Sequence, residues 1–175
     1  MIEGVAELGI APRSAIISGC GLYRYRLVRQ SSPDNWATAV IMVNPSTADA
    51  TVDDATIRKL IGFGKVNRWG RIIVGNLFAY RTADVRNLAK VVDPVGPEND
   101  DHLISILAEC DQVVCAWGPI NKQPKMRRNR FLDVIGLIHG AGLDPFSIGA
   151  PAKCGHPKHP LMLSYGSEIL PWGRP

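Results

Sequence analysis

Continuous apolar runs alternate with amphipathic segments along this chain. "TAVIMVN" (38–44), "RIIVGNL" (71–77), "QVVCAWG" (112–118) and "PFSIGA" (145–150) are short and rich in β-branched or apolar residues, the pattern of strands buried on both faces. "GLYRYRLVRQ" (21–30) alternates aromatic or aliphatic residues with arginines, which predicts a strand with one wet, basic face. Segments 53–66, 98–110 and 125–140 have helical character. "SSPDNW" (31–36) reads as a turn, the residues ahead of 21 as an irregular lead, and the Gly- and Pro-rich tail "SYGSEILPWGRP" (164–175) as surface cover.

Strands alternating with helices require crossover connections, and right-handed crossovers bring successive strand ends to one edge of a parallel sheet. The expected fold is α/β: a three-layer α/β/α sandwich around a central, mainly parallel four-stranded sheet, with room for an added antiparallel N-terminal strand. In such sheets ligands bind beyond the carboxyl ends of the strands. The residues expected there are Asn44-Pro45-Ser46-Thr47, Asn76 through Arg81, Trp117-Gly118-Pro119 and the loop "APAKCGHPKHPLML" (150–163).

A chain of 175 residues, 46% of them hydrophobic, can bury one good core. One domain is therefore expected over 1–175, with its body over about 20–163 and a tail over 164–175. The net charge of +4 and the pI near 9.0 favour anionic partners without the charge density of a nucleic-acid coat protein. Cys20, Cys110, Cys115 and Cys154 are too sparse for a disulfide framework and read as reduced thiols. The N-terminus lacks a charged start followed by an apolar segment, and no run nears the ~20 apolar residues that span a bilayer. The expectation is a soluble, cytoplasmic protein with no membrane partner.

Asn76 ends an apolar run with an amide that both donates and accepts, which suits the paired edge of a pyrimidine; tying down a loop is the structural alternative. Asn44 could hold a water, with Pro45 fixing the backbone so that the side chain points into a cleft. Asn-Pro as a turn initiator before a helix is the alternative there. An amide is no general base, so much of any rate must come from stabilising charge on a departing group. His156 and His159, in the loop after the last strand, could donate to such an anion.

Cys154 with the two histidines matches no standard zinc spacing, and the cysteines lack the close pairings of an iron–sulfur site, so neither metal nor cofactor is expected. Phe63, Phe78, Tyr80 and Trp117 are candidate faces for stacking a flat ring, or else core. The basic run "NKQPKMRRNR" (121–130) offers Lys122, Lys125, Arg127 and Arg128 as phosphate contacts or as a solvated helix face. "GFGKVN" (62–67) has neither the Walker spacing nor the dinucleotide fingerprint, so ATP and NAD lack support. Asp53 and Asp54 fit the start of the following helix, and Asp49 fits a pocket position or a cap.

"MVNPSTADATVDDATIRK", "GNLFAYRTADVRNL", "PVGPENDDHL" and "AWG" resemble an uncharacterised bacterial family known only as a domain of unknown function, number 1643, over about Cys20 to Leu163. More distantly, the same landmarks are similar to those of the uracil-DNA glycosylase superfamily, whose three-layer domain carries its site at the ends of a four-stranded parallel sheet. There the first strand ends in Gly-x-Asp-Pro or Gly-x-Asn-Pro, whose acid or amide positions the attacking water, and "MVNPS" is similar to the Asn form. A later strand ends in the Asn that reads the pyrimidine, similar to Asn76 in "IIVGNLFAYRT"; another ends in Leu-Trp-Gly, similar to "CAWG". The closing motif is His-Pro-Ser-Pro-Leu, whose His faces the base carbonyl and whose Leu wedges into DNA; "GHPKHPLML" is similar, with one extra residue. Either His156 or His159 takes the histidine's place, Leu161 that of the wedge, and Met42 stands where the first motif has Gly.

The resemblance implies a nucleobase- or nucleotide-recognising protein that acts on a base–sugar bond in DNA or a nucleotide, for excision or modification. Asn44 with His156 or His159 would be catalytic, and Asn76 with the four aromatic residues would hold the base. Ser46, Thr47, Arg81, Lys158 and Leu161 would join the basic run as nucleic-acid contacts. A non-catalytic nucleotide- or nucleic-acid-binding module is the alternative. A third reading, a small α/β protein whose polar strand ends only serve loops, predicts no cleft in which Asn44, Asn76 and a histidine converge. The base, a polymeric or free substrate, and the oligomeric state stay open.

Overall fold

The computed structural model describes residues 13–173. Within them the strands are β1 (Arg13–Ile17), β2 (Arg24–Gln30), β3 (Ala37–Met42), β4 (Arg71–Asn76), β5 (Gln112–Cys115), β6 (Pro145–Ile148) and β7 (Ile169–Pro171), and the helices are α1 (Ala55–Asn67), α2 (Asn99–Ala108) and α3 (Arg130–Gly140). All seven strands form one mixed sheet in the order β1-β2-β4-β3-β5-β6-β7. β4, β3, β5 and β6 are mutually parallel, and β1, β2 and β7 pair antiparallel at the flanks.

The parallel strands are apolar because both their faces are covered. On one face Ile57, Leu60 and Phe63 of α1 pack on Val40, Met42, Ile72, Val74 and Val114. On the other, Leu103, Ile106 and Leu107 of α2 and Val134, Ile135 and Ile138 of α3 pack on Ala39, Ile41, Ile73 and Val113. The fold is thus α/β with helices on both faces of the sheet. Asp54 starts α1 by accepting a hydrogen bond from the Ile57 N–H at 2.9 Å. Arg68 ends it in the left-handed region (φ 59°), its N–H bonded to the Gly64 carbonyl. Among the described residues no helix is long and apolar enough to cross a membrane.

Several sequence expectations need correction. The sheet has seven strands where four, or five with an added N-terminal strand, were expected. β1 lies in the supposed irregular lead. The supposed surface tail supplies β7 and buries Trp172 edge-on against Trp117, with centroids 5.3 Å apart. The helix expected over 125–140 is a short 3-10 turn at Lys125–Arg127 followed by α3.

β2, expected to have a wet basic face, sits inside the sheet between β1 and β4. Arg24 and Arg29 are 2% and 1% exposed. Arg29 is satisfied by Asp53, its Nε donating to Oδ1 at 2.7 Å, and by the Val28 carbonyl.

A β-bulge decides where Arg24 points. β2 pairs with β1 in single steps from Arg29 opposite Arg13 to Arg26 opposite Ile16, but the next pair is Arg24 opposite Ile17. Tyr25 is therefore an extra residue in the strand. Strict alternation would put residues 24, 26 and 28 on one face. Instead Arg26 bonds Glu109 at the end of α2 and Tyr25 stacks on His102 of α2, with centroids 4.7 Å apart, while Arg24 turns to the α1 face.

Candidate functional site

A cleft of about 640 Å³ opens at the carboxyl ends of β3 and β4. Its walls are Met42, Val43, Asn44 and Ser46 after β3, Asn76 at the end of β4, the first turn of α1 from Asp54 to Ile57, the segment Thr82–Arg86, Arg24 of β2, and His159 from the loop after β6. Chain crossovers thus bring residues far apart in sequence to one edge.

Asn44 is held by its nitrogen. Nδ2 donates to the Thr82 carbonyl at 2.7 Å and to the Pro45 carbonyl at 3.1 Å. Both amide protons are engaged, which orients the group and leaves Oδ1 as an acceptor. The amide therefore ties down the 82 loop and can also orient a water.

Asn76 is buried, and its backbone carbonyl accepts from Asn99 Nδ2 at 3.0 Å. Its Oδ1 accepts from Arg24 Nη2 at 3.4 Å, and Arg24 Nη1 donates to the Ala48 carbonyl at 2.8 Å. Among the described residues neither Asn76 Nδ2 nor Arg24 Nε has a hydrogen-bond partner. Burial is the main cause that lowers the Arg24 pKa to about 10, and Asp54 opposes the shift. Arg24 stays charged at neutral pH.

His159 sits in front of the turn Pro160–Met162 and accepts at Nδ1 from the Leu161 N–H at 3.3 Å. The neutral ring therefore carries its proton on Nε2. Burial and then Lys122 lower its pKa, against the pull of Asp54, so neutrality is favoured. Gly118 makes room for it: its backbone is left-handed (φ +82°), and an added Cβ would stand 3.3 Å from the His159 Cβ.

The family model for a protein of unknown function, DUF1643, matches residues 24–161, which include every wall of the cleft. The chain belongs to this family. A search of curated proteins and a search of solved structures each returned no match. The DUF1643 description assigns no reaction, so chemistry must come from the cleft.

Of the residues singled out in the sequence, Asn44, Asn76, Ser46 and His159 meet in the cleft of this DUF1643 chain. His156 does not line it. At 5% exposure it lies in an aromatic box, accepting at Nδ1 from Trp117 Nε1 at 3.3 Å and meeting Phe131 edge-on. Between the two histidines left open by the sequence, the structure places His159 at the cleft and His156 in the core.

Among the described residues no Phe, Tyr or Trp lines the cleft, so the expected stacking platform is not there. Phe63, Phe78 and Trp117 are buried core residues, and Tyr80 meets Tyr23 edge-on. Phe63 lies on the sheet side of α1, and Phe78 and Trp117, which directly follow β4 and β5, pack with residues of α2 and α3.

The basic run is divided. Arg127 donates to the Leu88 and Val91 carbonyls, and Arg128 to those of Gln123 and Asn121, so both brace loops. Arg81 likewise donates to the Gly21 carbonyl. Lys122 and Lys125 are exposed, Lys158 is half-buried, and Thr47 is exposed outside the cleft. Leu161 is 41% exposed on the turn beside His159. Asp49 braces its own loop by accepting from the Thr51 and Val52 N–H groups. Among the described residues Cys154, His156 and His159 form no metal-ligating group of three.

The sequence reading missed Arg24 as a cleft residue, and it missed the segment Thr82–Arg86, whose Asp84 and Arg86 pair with each other at 2.8 Å. The loop bond from Asn44 to Thr82 is what brings that segment over the cleft.

Proposed function

We propose that the cleft binds a nucleobase, in a nucleotide or in nucleic acid, and that His159 and Asn44 act on its base–sugar bond. One observation carries the reading: Asn44 and Asn76, from the ends of two strands, and a histidine from the loop after a third line the same cleft. A protein whose polar strand ends only braced loops would have no need of that convergence. The volume of about 640 Å³ lies within the range of small-ligand sites. The parallel core strands with helices on both faces, and a cleft at the strand ends, also support the distant likeness to uracil-DNA glycosylases.

The chemistry follows from the free atoms. Asn44 Oδ1 accepts a hydrogen bond from a water and orients its oxygen toward the sugar carbon. As the carbon–nitrogen bond breaks, its electron pair leaves with the base, and the Nε2–H of neutral His159 donates to the base oxygen on which charge gathers. The water oxygen bonds the sugar carbon, and its proton passes to solvent or to the base. A donor of this kind is worth about 3 kcal/mol in a dry site. Apolar walls from Met42, Val43, Ile57, Val74 and Val85, not an aromatic ring, would hold the flat face.

The test is incubation of the protein with single- and double-stranded oligonucleotides carrying uracil, hypoxanthine, xanthine or hydroxymethyluracil, then alkali and a denaturing gel. Scission at one base, slowed about 10²- to 10³-fold in His159→Ala, is expected. Scission unaffected by His159→Ala would refute the leaving-group role. Met42, standing in the wall where the glycosylase motif has Gly, favours a second reading: recognition of a base without hydrolysis. Retention of one oligonucleotide without scission would decide for it.

A further inference from the structure

Among the described residues Arg24 is a buried cation without an ion pair, attracted by Asp54 only from beyond ion-pair distance. It is 2% exposed, and among the described residues no carboxylate lies within ion-pair distance of it. Its two terminal nitrogens meet a carbonyl and an amide oxygen, both uncharged. Buried guanidinium groups are normally paired, because an isolated charge loses its hydration with nothing to replace it. Arg29, five residues along the same strand, meets that rule through Asp53. Arg24 does not, and it is the arginine that the bulge turns to the cleft.

Beside it, Asn76 Nδ2 is a second buried donor with no partner. Its orientation is set by the bond from Arg24 to Oδ1, so its protons face away from the guanidinium. The inner end of the cleft thus offers positive charge and donor groups. Among the described residues the one carboxylate that lines the cleft without an ion pair is Asp54, which caps α1 and attracts Arg24 from beyond ion-pair distance.

We propose that the cleft takes its ligand as an anion, with one negatively charged oxygen set toward Asn76 Nδ2 and Arg24 as its counter-charge. The inference rests on the reading of the cleft as a nucleobase site and deepens it: the base bound is an ionised keto base, and the proton of the attacking water passes to the departing base, which leaves as a monoanion. Arg24 is a specificity-determining residue in this scheme, acting through its charge at the buried inner wall, where water screens it weakly. A singly charged exocyclic oxygen of the base fits better than a phosphate dianion, because Asp54 shares the cleft and would repel the more highly charged group.

Isothermal titration calorimetry with two matched pairs of free bases tests this: xanthine against hypoxanthine, and 5-nitrouracil against uracil, at a pH that ionises the first of each pair only. In at least one pair the ionised base is expected to bind about tenfold more tightly or better. Arg24→Met should remove that preference. Asn76→Asp gives Arg24 an internal carboxylate, so it should abolish binding of the ionised base and raise the melting temperature, which keeps the test decisive if Arg24→Met does not fold. Equal binding within both pairs, no binding by any of the four bases, a preference that survives Arg24→Met, or an Asp variant that melts lower would each overturn the proposal. Inorganic phosphate that displaces the ionised base at comparable concentration would overturn the choice of a base oxygen. Base excision with no anion preference would leave the base–sugar reading standing alone; anion preference without excision would do the reverse.

Discussion

Replacing His156 by Ala should cost stability and leave the cleft intact. Two losses add. The Trp117 indole N–H, which donates to His156 Nδ1 at 3.3 Å, is left buried without an acceptor, worth about 1–3 kcal/mol. The ring itself is packed against Phe131 at 4.7 Å and near Trp172, and the hole it leaves costs about another 1–2 kcal/mol. The sum is about 3 kcal/mol, which for a chain of this length lowers the melting temperature by about 6–12 °C. His156→Asn separates the two losses, because its amide oxygen can stand near the Nδ1 position and accept from Trp117; it should recover about 1–2 kcal/mol. His159→Ala is the control in the opposite sense. It loses one capping bond on a half-buried turn, about 1 kcal/mol or less, but loses the cleft's imidazole. Urea denaturation followed by tryptophan fluorescence reads the stabilities, and base binding by calorimetry reads the cleft. The assignment of the two histidines is wrong if His159→Ala destabilises as much as His156→Ala, or if His156→Asn is no better than His156→Ala.

Three further outcomes follow from the packing. Asp53→Asn removes the charge facing Arg29 and Arg13 and should cost about 3 kcal/mol in urea unfolding; a loss under about 1 kcal/mol would mean that Arg29 is held by carbonyls alone. Burial lowers the pKa of both His156 and His159, so the unfolded chain takes up their protons first. Stability should be full above about pH 6.5 and decline below it, by up to about 1.4 kcal/mol per pH unit for each histidine until its native pKa is passed; urea midpoints that hold level from pH ~7.5 to ~5 would contradict this. Gly70→Ala would drive a Cβ into the Asp34 carbonyl, whereas an added Cβ at Gly136 in α3 meets nothing within 4 Å. The first should destabilise by about 3 kcal/mol or more and the second stabilise by up to about 1 kcal/mol; thermal melts that rank them otherwise refute the packing at these glycines.

The parallel core strands were legible because burial on both faces leaves continuous apolar runs, as in "TAVIMVN" and "RIIVGNL". β1 and β7 were not, since an edge strand of five or three residues need not be apolar throughout and its signal is its partner. At the site, Asn44 and Asn76 were legible as polar residues ending apolar runs. The choice between His156 and His159 was not, because it turns on which ring the Trp117 indole meets across the fold. The aromatic candidates failed for a similar reason. Phe78 and Trp117 follow their strands closely in sequence, yet their side chains pack into the core with α2 and α3. Arg24 was misread because alternation cannot reveal a bulge.

That bulge also bears on how members of this family should be compared. The extra letter in β2 is Tyr25, and it falls between an arginine that serves the cleft and one that serves the end of α2. A relative that spells the strand one residue shorter, with two arginines side by side, would still deliver one to each face. A relative of equal length that pairs without the bulge would deliver the aromatic residue to the cleft and leave its floor uncharged. Kinship of function in this strand is therefore carried by register as much as by spelling, and an alignment gap at Tyr25 is a smaller change than a match that straightens the ladder.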